Sequence, residues 1–209
     1  NLVCRNAFVT HTSVAPDGTL RMATMCGEIY RADDIHSPWK IVQEGELGGK
    51  LGETFENIVA FDRNTAVIVG DMWDGYFLRT TTGGQSWVKV KYNSKRRNEW
   101  FHPVWRGQGG NLWTGSQNGH LAFGCNSGRT FDVLHNTGFD DKTDIRDIYM
   151  LSSDSGWIAV RDGGLYSPSD NWRTCHRLST PNHKGVSRVR PISRSEERRV
   201  GKECSSRWS

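Results

Sequence analysis

Short apolar runs alternate with polar turns along most of the chain. The runs are about four to seven residues long, and glycine, asparagine, aspartate or serine separates one run from the next. Runs of this length are typical of β-strands, because an amphipathic helix needs a longer segment to form a continuous apolar face. The pattern therefore predicts an all-β fold.

The pattern repeats with a period of about 44 residues. Each unit has an apolar run, a polar loop with glycine, a second apolar run and a closing aromatic residue. The loop glycines are Gly27, Gly75, Gly119 and Gly164, and the closing aromatics are Trp39, Trp87, Phe131 and Trp172. Because two independent markers keep the same register, we interpret the pattern as a true internal repeat.

Each unit predicts four strands, because a further apolar stretch lies on either side of the marked segment. The upstream stretches are Phe8–Val14, Asn57–Phe61, Trp100–Trp105 and Ile145–Leu151, and the downstream ones are Trp39–Val42, Trp87–Val90, Phe131–Leu134 and Trp172–Leu178. Four short strands in a period of about 40–50 residues are the sequence signature of a β-propeller blade. We therefore expect a partial β-propeller of about four four-stranded blades. The units are 9–52, 53–98, 99–142 and 143–180, with the start of a fifth at 181–193.

The last sixteen or so residues do not continue the repeat. The segment from Arg194 to Cys204 reads RSEERRVGKEC, which resembles an in-frame translation of a common sequencing-adapter oligonucleotide. We therefore expect 194–209 to be a non-native tail. An extended open reading frame is expected to add about two to four further blades, since propellers usually close with about four to eight.

Composition agrees with this interpretation. The 23 glycines suit the turns of blades and the 9 tryptophans suit their repeated strand edges. The net charge of +4 lies partly in the tail, so the repeat region is closer to neutral and a nucleic-acid partner is not expected. No apolar run approaches the roughly 18 residues of a membrane-spanning helix.

The cysteines outside the tail do not predict a metal site. No C-x-x-C spacing occurs and no histidine clusters with them, so neither a metal nor a cofactor is expected. They allow up to two disulfides, and unpaired thiols are an equally open alternative. The compartment stays open, with an extracytoplasmic one, periplasmic or secreted, favoured. These cysteines are Cys4, Cys26, Cys125 and Cys175.

The turn before the fourth predicted strand carries a recurring motif. Thr80–Trp87 reads TTTGGQSW and Gly124–Phe131 reads GCNSGRTF, and both resemble the Asp-box, or BNR repeat, S/T-x-D-x-G-x-T/S-W. Thr82 and Asn126 stand where the motif has aspartate. The resemblance implies a structural turn, in which a short polar side chain binds backbone N–H groups and glycine takes a positive φ. The residues assigned to this scaffold are Thr80, Thr82, Gly84, Ser86, Trp87, Asn126, Gly128, Thr130 and Phe131.

Asp-box propellers include sialidases, other glycoside hydrolases and photosystem II assembly/stability factors (Ycf48-like proteins). The run from Ile68 to Trp87 is similar to the V-G-x-G-x-[IL]-x-R-T-x-D-G-G-x-T-W repeat of the last group. That resemblance implies a binding or assembly scaffold for a protein partner, and no enzymatic activity. The alternative is a sialidase-like or other glycoside hydrolase whose catalytic residues lie partly on missing blades.

Function in a propeller is expected at the funnel mouth, where polar residues of the innermost strands meet. A sialidase would need three clamping arginines, a Tyr–Glu pair and an aspartate; Arg146 and Arg188 match, but Asn57 and His102 stand where further arginines belong. We therefore assign no catalytic residue and expect a protein or carbohydrate partner, with self-association through open blade edges as a further expectation. The predicted binding residues are Glu56, Asn57, His102, Trp105, Arg146, Asp147 and Arg188.

Overall fold

A computed structural model provides the structure of the chain. It describes residues 8–44, 54–71, 75–92, 99–134, 137–151, 155–169, 174–179, 186 and 188–189. The predicted tail at 194–209, most of the predicted fifth unit, Cys4 and the motif residues around Trp172 lie outside the described residues.

Sixteen strands form four antiparallel sheets in the described part of the chain. Blade 1 contains β1 (Val9–Val14), β2 (Leu20–Thr24), β3 (Ile29–Ala32) and β4 (Lys40–Gln43). Blade 2 contains β5 (Thr54–Ala60), β6 (Ala66–Asp71), β7 (Tyr76–Thr80) and β8 (Val88–Lys91). Blade 3 contains β9 (Phe101–Arg106), β10 (Leu112–Ser116), β11 (Leu121–Cys125) and β12 (Thr130–Leu134). Blade 4 contains β13 (Ile145–Met150), β14 (Gly156–Val160), β15 (Leu165–Ser169) and β16 (Thr174–Leu178).

The strand order within every sheet follows the chain, so each blade is a four-stranded meander. The first strands β1, β5, β9 and β13 contact one another in turn, which places them innermost around a common axis. This arrangement is a partial β-propeller of four blades. It confirms the fold class predicted from the repeat, and within the described residues no helix is long and apolar enough to cross a bilayer.

Neighbouring blades are held together by apolar side chains that alternate along the strands. On β6, Ala66 and Ile68 pack against blade 1, whereas Val67 and Val69 pack against blade 3. Successive side chains of a strand point to opposite faces, so a sheet buried on both faces needs a continuous apolar run. The sequence AVIVG in the second unit is that run.

Arginine side chains add a second link between blades. Arg21 of blade 1 is fully buried and donates to the carbonyl oxygens of Gly83 at 3.1 Å and Arg63 at 2.7 Å in blade 2. Arg79 of blade 2 likewise donates from Nε to the carbonyl oxygen of Ser127 in blade 3 at 2.8 Å. Each arginine thus binds the turn of the following blade that resembles the Asp-box.

Two of the cysteines are free thiols in the described structure, Cys125 and Cys175. Cys26 is disulfide-bonded. The sequence left open both disulfide bonds and unpaired thiols, and the described residues contain an example of each.

Candidate functional site

All four innermost strands carry a register shift at the same level. The shift falls between Val9 and His11, between Phe55 and Asn57, and between Ile145 and Asp147, and β9 has it opposite Gly115. An extra residue at such a β-bulge leaves the ladder, and its side chain is re-aimed. The re-aimed side chains form what we call the mouth ring, which consists of Thr10, Glu56, His102 and Arg146.

Glu56 and His102 of the mouth ring meet across the junction of blades 2 and 3. His102 Nδ1 lies 3.9 Å from Glu56 Oε2, and the Thr54 hydroxyl lies 3.5 Å from Glu56 Oε1. The His102 imidazole lowers the pKa of the Glu56 carboxyl against the opposing effect of partial burial. The carboxylate is therefore ionised at neutral pH, and its side chain is 25% exposed.

Asp71 and Trp100 complete this side of the mouth, and sequence reasoning missed Asp71. Asp71 pairs with Thr54 at the end of β6 and forms an isolated bridge with Trp100. The Trp100 ring lies 4.9 Å from the His102 ring, at an interplanar angle of 34°. Burial, reinforced by the charge of Glu56, raises the pKa of Asp71. The two carboxyl groups therefore have pKa values displaced in opposite directions.

A buried acidic residue, Glu99, lies close to the same junction between blades 2 and 3. Glu99 is 0% exposed and is hydrogen-bonded to His120 Nδ1. The Tyr92 hydroxyl is buried beside them, and burial together with the charges of Glu99 and Asp71 raises the pKa of Tyr92. The junction is consequently acidic at its surface and in its interior.

Arg146 stands in the mouth ring but its charge is neutralised locally. Its Nη2 atom lies 2.5 Å from Asp144 Oδ2, and Arg161 approaches the same oxygen at 3.5 Å. The equivalent positions on the three preceding blades hold threonine, glutamate and histidine. Arg188, the other predicted clamp residue, is exposed. The described residues thus do not assemble the arginine cluster of a sialidase-like site.

Two predicted binding residues tie neighbouring strands together instead of facing the open mouth. Asn57 Nδ2 donates to the carbonyl oxygen of His102 at 3.1 Å, and Asp147 Oδ2 accepts from the backbone N–H of Val189 at 2.8 Å. His11 makes the same kind of contact to the Ile58 carbonyl at 3.2 Å. The side chains directly after the bulges of β1 and β5 therefore bind the next inner strand, and that of β13 binds the backbone at Val189.

Trp105, another predicted binding residue, lies away from the mouth ring. It lies near the opposite end of β9 from His102, and its ring is 4.1 Å from that of Tyr149. Trp113 is only 6% exposed and belongs to the core between blades 3 and 4.

The turn at Thr80–Trp87 is organised by its own side chains. Thr80 Oγ1 accepts from the N–H groups of Thr82 at 3.2 Å and Gly84 at 3.1 Å, and Thr82 Oγ1 accepts from Ser86 N–H at 2.9 Å. The Trp87 indole N–H donates to the Gly84 carbonyl at 3.2 Å. Every one of these contacts is local, so these residues shape the turn.

The equivalent turn of blade 3 uses backbone conformation more than hydrogen bonds. Asn126, Ser127 and Gly128 take φ values of 51°, 55° and 73°. Phe131 is buried in the core between blades 2 and 3, and Thr130 contacts the Cys125 thiol at 3.0 Å. In blade 1, Asp34 accepts from the N–H groups of His36 and Ser37, both at 2.8 Å.

The described residues contain no group of three or more His, Cys, Asp or Glu side chains placed to hold a metal ion. The polar groups that the described residues place at the mouth are carboxylates, an imidazole and an indole.

Comparisons with known proteins agree with the architecture. No family model matches the chain, and no curated protein matches it. A solved structure of Ycf48 bound to D1 peptide superposes with a TM-score of 0.66 over 88% of this chain and 60% of its own, at 13% identity. The chain has a β-propeller fold.

Two further structures extend that comparison. Ycf48 from Cyanidioschyzon merolae has a TM-score of 0.54 and 19% identity, over 84% of this chain and 60% of its own. The GH74 xyloglucanase from Xanthomonas campestris has a TM-score of 0.61 and 11% identity, over 81% of this chain and 29% of its own. The chain therefore spans 60% of the length of both Ycf48 structures, and the shared property is the fold.

Proposed function

We propose that this propeller segment is a binding scaffold whose protein partner docks on the mouth ring. The observation that carries the proposal is the β-bulge at one level of four adjacent inner strands. It places a hydroxyl, a carboxylate, an imidazole and a guanidinium at equivalent positions of successive blades, at Thr10, Glu56, His102 and Arg146, and brings Glu56 and His102 within 3.9 Å of each other. Bulges are over-represented beside functional sites because they re-aim side chains.

The chemistry of the ring suits a polypeptide. Each blade presents a different polar group, so the ring is asymmetric and offers both donors and acceptors, with Trp100 as an aromatic neighbour. Polar rims around an aromatic contact are typical of protein interfaces. One propeller of similar architecture is Ycf48 in a structure with a D1 peptide, which supports a peptide-binding mode for the fold.

One observation favours a second candidate, a glycoside hydrolase. Glu56 and Asp71 have pKa values displaced in opposite directions, as the acid and base of a glycosidase require. Against it, the Glu56 carboxylate already contacts His102, and Asp71 pairs along the blade edge. We therefore rank hydrolysis below binding.

Peptide selection tests the proposal. A random-peptide display library would be selected on the immobilised wild-type chain, and the enriched peptides would then be titrated against a Glu56→Gln/His102→Ala variant. We expect enriched peptides whose affinity falls about tenfold in that variant, since central polar contacts of an interface contribute about this much. Lys91→Ala is the matched control, because Lys91 is an exposed charged residue on the outer strand of the same blade.

The outcomes separate the two candidates. Selected peptides that bind the double variant as tightly as the wild-type chain would remove the mouth ring as the docking site. Release of reducing ends from a panel of oligosaccharides, abolished by Glu56→Gln, would establish the hydrolase in place of the scaffold.

A further inference from the structure

A cleft opens at the opposite end of the inner strands from the mouth ring. It has a volume of about 950 Å³ and lies where β9 and β13 end, between the loops that follow the inner strands. Small-molecule sites commonly have volumes of about 300–1,000 Å³. The cleft shares no residue with the mouth ring, so an activity there is independent of the proposed function.

Aromatic side chains form one wall of the cleft. Trp105 and Tyr149 lie with ring centroids 4.1 Å apart, and Trp113 and Phe123 with centroids 4.6 Å apart. Phe61 contributes from blade 2. Trp105 is half-buried, so part of its surface faces the cleft. Such a wall offers flat, apolar contact area at low entropic cost.

The formal charges in the cleft balance. Arg106 and Asp62 are the two charged residues among the lining residues that the structure describes. Arg106 Nη1 donates to the carbonyl oxygens of Val14 at 3.0 Å and Ala60 at 2.5 Å, which fixes the guanidinium at the floor. With one charge of each sign, the lining residues have no net formal charge that would attract an anion or a cation.

Two primary amides at the rim are available to a ligand. Gln108 is exposed and Asn111 half-buried, and in the described structure neither side chain makes a hydrogen bond. The backbone beside them is already paired, because Gly107 N–H binds Asn111 O at 2.8 Å and Ser127 N–H binds Gly110 O at 2.8 Å. These backbone groups are therefore not available to pair with an extended peptide.

We propose that this cleft binds a neutral oligosaccharide. A pyranose ring has an apolar C–H face, which fits the wall of Trp105 and Tyr149, and a hydroxyl edge, which fits the amides of Gln108 and Asn111. Amides recognise hydroxyl groups well because each offers two donors and an acceptor. The lining residues have no net formal charge to attract a charged sugar, and the paired backbone groups are not available to a peptide.

Titration with defined sugars tests this site. Cello-, xylo-, malto- and manno-tetraose would be titrated into the chain, with tryptophan fluorescence and saturation-transfer NMR as readouts. We expect one series to bind and its affinity to fall about tenfold in a Gln108→Ala/Asn111→Ala variant. These two side chains are at the rim, so their loss leaves the blade core intact.

Matched variants make the result decisive. Gln85→Ala removes an exposed amide from a turn of blade 2 and is expected to leave binding unchanged. Glu56→Gln should likewise leave it unchanged, which separates this cleft from the mouth ring. Absence of binding by all four sugars, or equal binding by the Gln108→Ala/Asn111→Ala variant, would overturn the proposal. Preferential binding of a peptide in the cleft would also overturn it.

Discussion

At the scale of single residues, the surroundings of Asp71 raise the pKa of its carboxyl and so disfavour its ionised form. Asp71 is half-buried at the end of β6, the charge of Glu56 is close by, and no lysine or arginine among the described residues pairs with it. Both effects raise the pKa of its carboxyl, which means that folding opposes its ionisation. A residue with this penalty and a position at the mouth is typical of a functional surface.

The Asp71→Asn substitution is expected to stabilise the fold in a pH-dependent way. Because the pKa of Asp71 is raised on folding, ionisation costs stability as the pH rises through that pKa, and the cost is complete above it. The unfolding temperature of Asp71→Asn should therefore exceed that of the wild type at about pH 7 and match it below about pH 3.

Asp132→Asn is the control for that experiment, because Asp132 is exposed on an outer strand. A thermal-melt series across pH measures both variants. A gain for Asp71→Asn that is the same at every pH would contradict the assigned penalty.

The sequence predicted least well the direction in which individual side chains point from the inner strands. The sequence placed Glu56 and His102 on inner strands, and the structure brings their side chains together. Asn57 and Asp147 were expected to face the same mouth, but each follows a β-bulge. One inserted residue moves the following side chains to the opposite face of the strand. The residue types do not indicate where a bulge occurs, so the sequence could not predict this change of face.

At the scale of strands and turns, the repeat predicts the architecture well because the same physical constraint recurs in every blade. Blade 2 is buried on both faces, so its middle strands are continuously apolar and easy to recognise. The strand bounds differ from the predicted ones by a few residues, for example Thr54–Ala60 in place of Asn57–Phe61. Thr54 and Glu56 lie at the open mouth and are polar. The strand was predicted from its apolar residues, so the predicted bounds left out these two positions.

The turn before each fourth strand is fixed by contact with the preceding blade. Gly84 has φ +101°, and a Cβ atom there would lie 2.8 Å from Val42 Cγ2 of blade 1. Gly128, its equivalent in blade 3, would meet Val67 of blade 2 at 2.3 Å. Glycine is required at this position for the conformation and for the close approach of two blades.

We expect Gly84→Ala to destabilise the chain more than Gly18→Ala. Gly18 also has a positive φ, +88°, but nothing lies within 4 Å of its added Cβ atom, so it isolates the conformational cost of about 1–2 kcal/mol. Gly84→Ala should cost about 1–3 kcal/mol beyond that through overpacking against Val42. Urea unfolding of both variants measures the difference, and equal losses would show that the blade contact contributes nothing.

At the scale of the whole molecule, the face of blade 1 that points away from blade 2 carries exposed apolar side chains. Val9 is 52% exposed, Trp39 is 42% exposed and Ile41 is 50% exposed. In blade 2 the repeat positions of Val9 and Trp39 hold Phe55 and Trp87, and both pack against blade 1. Blade 1 therefore presents to solvent a face that is built to pack against another blade.

This face leads us to expect concentration-dependent self-association of the chain. Sedimentation velocity should show a growing fraction of oligomer with concentration, and Trp39→Lys should reduce it because a charge on the face opposes burial. Val88→Lys is the matched control, since Val88 is 57% exposed on an outer strand away from that face. A monomer at every concentration would contradict the expectation.

The central claim is that a polypeptide docks on the mouth ring, and photo-cross-linking tests it most directly. A peptide selected on the chain would carry a photoreactive benzoylphenylalanine, and mass spectrometry would locate the residues to which it couples. The claim predicts adducts at the bulged ends of β5 and β9, around Glu56 and His102. Adducts confined to the outer strand β8 or to the cleft around Trp105 would contradict it.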